Sequence, residues 1–152
     1  MLFNTARQEV AGLAQIRELY NENSAMGNVV DLTSLYTLQV KKVSKAVKLH
    51  PSRSITIQDE WTNGVKTSFQ WVTVAKATLQ VDGVLLEQNG KSLKQKIETT
   101  DSTTKPVIVI EDLLKEKNPQ DFDDQGVSRI IFKAKTPANN AFSRKVSAIP
   151  LF

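Results

Sequence analysis

Two tight-turn signals, Asp82-Gly83 and Asn89-Gly90, separate short stretches in which apolar and polar residues alternate. Before the first signal, Ala77, Leu79 and Val81 occupy every second position. Asp-Gly and Asn-Gly dipeptides suit the positive φ angles of two-residue hairpins, and a period of two is that of a half-buried strand. This stretch therefore predicts an antiparallel meander within an all-β domain.

Strand signals occupy most of the remaining chain. They cover residues 15–22, 38–49, 55–58, 66–74, 107–110, 127–135 and 142–149. Asn63-Gly64 predicts a hairpin between two of them, and residues up to Asn28 predict a loop after the first. We expect about ten to twelve strands in a two-sheet antiparallel β-sandwich with little helix.

Two segments leave room for helix. Asp31 or Thr33 is suited to capping a single helical turn, so we expect a turn there. From Leu38 to Leu49 the apolar spacing fits partly a helix and partly a bulged strand. The β-branched residues in this segment favour a strand, and a helix remains the alternative.

Length and composition indicate one globular domain spanning residues 1–152. A chain of this size can bury about 70% of its unfolded surface, and its 40% hydrophobic and 24% charged residues are ordinary for a globular protein. No apolar run approaches the roughly 20 residues of a membrane helix. Arg7, Gln8 and Glu9 interrupt the start, so we expect no export signal and no membrane partner. The absence of cysteine excludes disulfides and thiol nucleophiles.

The net charge of +4 comes largely from one basic stretch around His50. Its members are Lys41, Lys42, Lys45, Lys48 and Arg53. A solvated strand face explains such a stretch most simply, and contact with an acidic glycan is the functional alternative. Trp61 follows Asp59 and Glu60 at a strand end, where an exposed indole would stack on a sugar ring. No nucleic-acid motif accompanies the charge, so nucleic acid is not expected as a partner.

The search for catalytic chemistry yields no site. His50 is the one histidine of the chain and lies beside a proline in a predicted turn. Asp59 and Glu60 are adjacent in a strand and so point to opposite faces, which prevents a shared acid–base role. The acidic loop at Asp121, Asp123 and Asp124 lacks the spacing of an EF-hand. We predict no catalytic, cofactor-binding or metal-binding residue and no cofactor.

Several motifs in series nevertheless resemble the C-terminal β-sandwich of the heparinase II/III-like polysaccharide lyases. They are Asp31-Leu32-Thr33 with Tyr36, the run from Arg53 to Glu60, Gln70-Trp71 with Ala75, Leu86 followed by Asn89-Gly90-Lys91 and Leu93, Asn118-Pro119, Ser128 to Lys135, and Val146 with Ile149-Pro150. The order holds over nearly the whole chain.

This resemblance implies a bacterial, exported, periplasmic enzyme made of an α-helical toroid followed by a sandwich. Such enzymes cleave uronic-acid polysaccharides, glycosaminoglycans among them, by β-elimination, with tyrosine and histidine as acid and base and a structural zinc site. Leu2-Phe3-Asn4 and Gln8 resemble the strand that follows the last zinc-site histidine, so neither the zinc ligands nor the catalytic residues have counterparts here. The compartment of this chain stays open.

Two functions follow as expectations. The first is a non-catalytic sandwich portion of such a lyase, which supports the catalytic domain and the substrate cleft. The second is a stand-alone carbohydrate-binding or interaction module. A sandwich that begins several strands late also leaves an open sheet edge or apolar face, so a missing catalytic domain or self-association is expected as a partner besides acidic polysaccharide.

Overall fold

The computed structural model of the chain describes residues 2–3, 12–22, 25–36, 40–62, 66–100, 106–113, 126–135 and 141–151. The strands within these ranges are β1 (Leu2–Phe3), β2 (Gln15–Glu22), β3 (Ala25–Asp31), β4 (Lys42–Leu49), β5 (Ile55–Thr62), β6 (Lys66–Thr73), β7 (Lys76–Gln80), β8 (Gly83–Gln88), β9 (Lys91–Thr99), β10 (Val107–Asp112), β11 (Ser128–Lys135) and β12 (Ala141–Leu151). A 3-10 turn covers Thr33–Tyr36, where the sequence predicted a single capped turn.

The strands form two antiparallel sheets that pack face to face. The smaller sheet has the order β1-β6-β11-β10, and the larger has the order β2-β3-β4-β5-β12-β9-β8-β7. This arrangement confirms the all-β sandwich predicted from the alternation of apolar residues. The described part of the chain holds no helix long and apolar enough to span a membrane.

The core lies between the sheets and is built by the alternation itself. Phe69, Ile130 and Phe132 of the smaller sheet meet Val84 and Val146 of the larger one. A second cluster near the 3-10 turn contains Leu35, Tyr36, Val40, Val43, Trp61 and Ala134. Because side chains alternate across a strand, the strand residues of these clusters come from every second position.

The two turn signals that define the meander differ in structure. Asn89 and Gly90 both have positive φ, 52° and 73°, as a primed two-residue turn requires. The first turn is displaced by one residue, since Gln80 pairs with Gly83 and leaves Val81 and Asp82 as the loop. Gly83 therefore lies in β8, where a Cβ atom would sit 1.7 Å from the Gln95 carbonyl oxygen. Its small size serves a close approach of two strands instead of a turn.

Other local expectations are corrected by the pairing. The prediction of a hairpin between β5 and β6 is wrong. β5 pairs with β4 and β12, whereas β6 pairs with β1 and β11 in the other sheet. Asn63-Gly64, which suggested it, lies outside the described residues. The loop expected through Asn28 is instead the strand β3, which begins at Ala25. The ambiguous stretch 38–49 is a strand from Lys42 onward, as predicted.

Candidate functional site

A groove of about 870 Å³ lies on the outer face of the larger sheet, at the end formed by β2, β3 and β4. The side chains that give it charge are Arg17, Glu18, Asp31, Lys41, Lys42 and Glu60. Its volume lies in the range that accommodates small ligands.

A β-bulge builds one wall of this groove. The register between β2 and β3 shifts between Ile16 and Glu18, which leaves Arg17 as the extra residue. Simple alternation puts Arg17 and Glu18 on opposite faces, and the bulge brings both to the groove. A bulge on an edge strand has no clear sequence signal, so Arg17 and Glu18 were missed as candidate residues.

Asp31 anchors the floor of the groove through three donors. Its Oδ1 accepts a hydrogen bond from the Thr33 backbone N–H at 2.9 Å, which caps the 3-10 turn. Its Oδ2 accepts from Arg17 Nε at 3.0 Å and also from Arg17 Nη2. Hydrogen bonds from Thr33, assisted by Arg17, lower the pKa of the Asp31 carboxyl from 3.8 to about 2. Asp31 is therefore ionised at any physiological pH and its charge is matched by Arg17.

The two predicted lysines of the groove are available to a ligand. Lys41 and Lys42 are exposed, and neither ammonium group bonds to a side chain that the structure describes. On the neighbouring strand β5, Glu60 accepts a hydrogen bond from Gln58 Nε2 at 2.8 Å. The groove therefore offers two cations to an acidic group and carboxylate oxygens to hydroxyl groups.

The rest of the basic stretch does not join this groove. Lys42 and Lys48 lie on the same outer face of β4 but six residues apart, about 20 Å along a strand. Arg53 sits in the turn between β4 and β5 with a φ of 63°. The predicted set is thus divided among separate places, and the groove contains Lys41 and Lys42 of it.

Lys45 lies on the inner face of β4, with its side chain 29% exposed. Its ammonium group lies 2.6 Å from Asp59 Oδ1 and 5.3 Å from the centroid of the Phe69 ring. On the other side of Asp59, Arg144 Nη2 donates to Oδ2 at 2.8 Å. In the register, Lys45 pairs with Asp59 and Asp59 with Arg144, so the three charges form one row across the inner face. Lys45 thus forms a structural ion pair with Asp59, and its role as a glycan contact stays a prediction.

Trp61 is also a core residue, contrary to the expectation of an exposed indole. Its side chain is 1% exposed, and its ring lies 5.5 Å from the guanidinium carbon of Arg144. Trp61 is opposite Val43 on the inner face, and strand parity fixes it there. An indole in this position cannot stack on a sugar from outside.

Burial sets the electrostatics of this inner cluster. Arg144 is 0% exposed, and desolvation lowers the pKa of its guanidinium while the Asp59 carboxylate raises it. Burial, with a smaller contribution from Asp59, raises the pKa of Tyr36. Arg144 was missed from sequence, although it stands at an inward position two residues before Val146. Asp59 and Arg144 are thus buried between the sheets, and the ion pairs of the cluster join three strands of the larger sheet.

The other residues considered for catalysis or metal binding do not line the groove. His50 lies in the β4–β5 turn, with Nε2 2.9 Å from Thr56 Oγ1. Among the described residues, no three histidine, cysteine or acidic side chains come together so as to hold a metal ion. Asp121, Asp123 and Asp124 fall outside the described residues.

Comparison with known proteins finds similar structures but no match by sequence. No protein-family model and no curated protein matches the sequence. A crystal structure of heparinase III superposes with a TM-score of 0.62 at 9% identity, over 91% of this chain and 21% of that one. A heparinase III with methylated lysines gives 0.61 at 14% identity, over 98% of this chain and 22% of its own.

The likeness shows the fold. The chain shares a β-sandwich with part of heparinase III and spans about a fifth of the length of these two solved structures. At 9% and 14% identity, residue roles do not transfer by alignment.

Proposed function

We propose that this chain is the non-catalytic β-sandwich portion of a heparinase II/III-like polysaccharide lyase that acts on uronic-acid polysaccharides by β-elimination. What supports the proposal is the match of 91% and 98% of the chain to about a fifth of each of two heparinase III structures. In this role the sandwich supports the catalytic domain and shapes the substrate cleft.

We further propose that the groove contacts acidic polysaccharide. Lys41 and Lys42 supply the positive charge, and Glu18 and Glu60 accept hydrogen bonds from sugar hydroxyls. Binding of this kind depends on charge and weakens as the ionic strength rises. Lys48 and Arg53 are proposed as separate, weaker contacts outside the groove.

A charge-matched pair of variants tests the glycan contact. The double variant Lys41→Ala/Lys42→Ala is expected to bind heparan sulfate about tenfold more weakly, a loss of about 1.4 kcal/mol. The double variant Lys76→Ala/Lys91→Ala removes the same charge from exposed positions in β7 and β9, at the far end of the sheet. Titration calorimetry at two salt concentrations measures both. Equal losses in the two variants would show that net charge, and not the groove, governs binding.

A lyase assay tests the non-catalytic role. The isolated chain is expected to release no unsaturated uronate from heparan sulfate, chondroitin or alginate, as followed by ultraviolet absorbance. Appearance of that product would contradict the proposal.

One observation favours a second function, a stand-alone carbohydrate-binding module. The described lining of the groove comes entirely from residues between Leu13 and Glu60, so no other chain is needed to form it. Micromolar affinity of the isolated chain for a short uronic-acid oligosaccharide would favour this module. Binding that requires a catalytic domain would favour the lyase portion.

A further inference from the structure

The groove on the outer face of the larger sheet carries balanced charge. Its described lining contains three cations and three carboxylates, namely Arg17, Lys41, Lys42, Glu18, Asp31 and Glu60. A ligand that has acidic groups alone therefore gains no attraction from the net charge of this lining. Its binding depends on where the uncompensated charges of each sign lie.

Two of the carboxylates stand in one row and differ in their partners. Ser44 of β4 is opposite Asp31 on one side and opposite Glu60 on the other. Asp31 accepts hydrogen bonds from the Arg17 guanidinium, which compensates its charge. Glu60 accepts from the neutral amide of Gln58 and pairs with no cation that the structure describes. The charge of Glu60 is therefore left for a ligand.

An uncompensated cation lies next to Glu60. Lys42 is opposite Thr62, two residues beyond Glu60 in β5, so Lys42 and Glu60 are diagonal neighbours on the outer face. Such neighbours are about 7–8 Å apart. Both side chains are exposed, and they form no ion pair with each other. Lys41 adds a second ammonium group to the same lining. The groove thus presents positive and negative charge side by side.

This arrangement discriminates between kinds of acidic ligand. An anion bound at Lys42 lies within about one Debye length of Glu60, roughly 8 Å at physiological ionic strength, so the carboxylate repels it. A sugar hydroxyl satisfies the hydrogen bonding of Glu60 but leaves its charge in place. An ammonium group donates a charge-assisted hydrogen bond and removes the repulsion as well.

We propose that the groove selects a glycan unit that carries both charges, a uronic acid linked to an amino sugar whose amine is free. The uronate binds Lys41 and Lys42, and the ammonium group of the amino sugar donates to Glu60. The two groups lie on adjacent rings, so one disaccharide reaches both positions. This inference rests on the proposed glycan contact and adds the class of sugar, with Glu60 as the residue that determines specificity.

Two oligosaccharides that differ only at the amine test the proposal. One is a tetrasaccharide of alternating glucuronic acid and glucosamine with free amines, and the other is its N-acetylated form. At about pH 6, where the amines are protonated, the intact chain is expected to bind the free-amine form about fivefold more tightly in titration calorimetry. The net charge of +4 predicts the opposite order, because the N-acetylated form is the more acidic ligand.

A matched pair of variants assigns the preference to one carboxylate. Glu60→Gln keeps the size of an exposed side chain and removes its charge, so it is expected to abolish the preference for the free amine. Glu87→Gln is the control, because Glu87 is an exposed carboxylate on the outer face of β8 and does not line the groove. This control is expected to keep the full preference.

The outcomes separate this inference from the proposed function. Equal binding of the two forms, or a preference that survives in Glu60→Gln, would overturn the assignment of the sugar class. If the N-acetylated form then still binds and loses affinity in Lys41→Ala/Lys42→Ala, the glycan contact itself stands. Failure of both forms to bind would overturn the glycan contact, and this inference with it.

Discussion

The row of Lys45, Asp59 and Arg144 shows how single residues decide the interior of this sandwich. A carboxylate 1% exposed receives one cation from each neighbouring strand, and the Arg144 guanidinium lies 5.0 Å from the Phe69 ring centroid. Arg144 Nε and Nη1 have no hydrogen-bond partner among the described atoms, so aromatic contacts replace part of their solvation. The cost of removing both charges from water offsets much of the attraction in such a buried ion pair, so the pair adds little stability relative to well-packed apolar residues.

Replacing one member of the pair is expected to destabilise the protein strongly. Asp59→Asn leaves the Arg144 charge buried without its counterion and is expected to lower the free energy of unfolding by about 3–5 kcal/mol. Asp59→Leu/Arg144→Met removes both charges and is expected to be at least about 2 kcal/mol more stable than Asp59→Asn. Urea unfolding of the three proteins measures the difference. A double variant as unstable as Asp59→Asn would show that the pair itself stabilises the fold.

The titration of Asp31 is a second prediction for a single residue. Its folded pKa of about 2 lies below the ordinary 3.8, so its contribution to stability is fully present above about pH 4 and is lost as the pH falls towards 2. Thr33→Ala keeps the backbone N–H donor and removes the side-chain hydroxyl, the largest cause of the lowered pKa, so it is expected to raise this pKa more than Arg17→Ala does. Carboxyl carbon shifts in NMR measure both. A larger shift in Arg17→Ala would reverse the assigned order of causes.

Among the strands, the meander β7–β8–β9 depends on two glycines for different reasons. Gly90 needs its positive φ of 73° but has open space around it. Gly83 has no such φ, yet a methyl group there would meet the backbone of β9. The first requirement concerns conformation, and the second concerns the distance between strands.

The two requirements predict different costs for the same substitution. Gly90→Ala is expected to lower the free energy of unfolding by about 1 kcal/mol, the cost of a left-handed residue. Gly83→Ala is expected to cost about 2–3 kcal/mol, because backbone atoms must move apart. Thermal unfolding followed by circular dichroism compares them. A smaller effect at Gly83 would mean that β8 and β9 separate easily.

On the scale of the whole molecule, the larger sheet is unevenly covered. β5 and β12 are paired on both sides and contribute Trp61, Arg144 and Val146 to the interior. β2 pairs with β3 alone, and its side chains from Gln15 to Leu19 are exposed. Stability within a domain follows such differences in burial and pairing.

Native-state hydrogen exchange is expected to follow this gradient. Amides of β5 and β12 should exchange most slowly, near the rate set by global unfolding, and those of β2 should exchange fastest among the eight strands of the larger sheet. Exchange monitored by NMR resolves the strands individually. Protection of β2 equal to that of β12 would indicate that another segment covers this edge.

Local sequence signals account for most of the strands and for two of the six charged side chains of the candidate groove. Alternation and the Asn89-Gly90 dipeptide predict the β8–β9 hairpin, because φ preference and side-chain parity act between neighbouring residues. Lys41 and Lys42 were predicted by charge. Arg17, Glu18 and Glu60 were not, because the bulge and the strand pairing that bring them to the groove join residues far apart in sequence.

The sequence by itself determined that this protein is a β-sandwich, since period-two alternation fixes which side chains each strand buries. Only the tertiary structure decided that β5 and β6 separate into different sheets, that Lys45 and Trp61 face the core, and that Lys42 and Glu60 line one groove. Each of these depends on which strands become neighbours. That choice is made by the packing of the whole chain, and no local pattern encodes it.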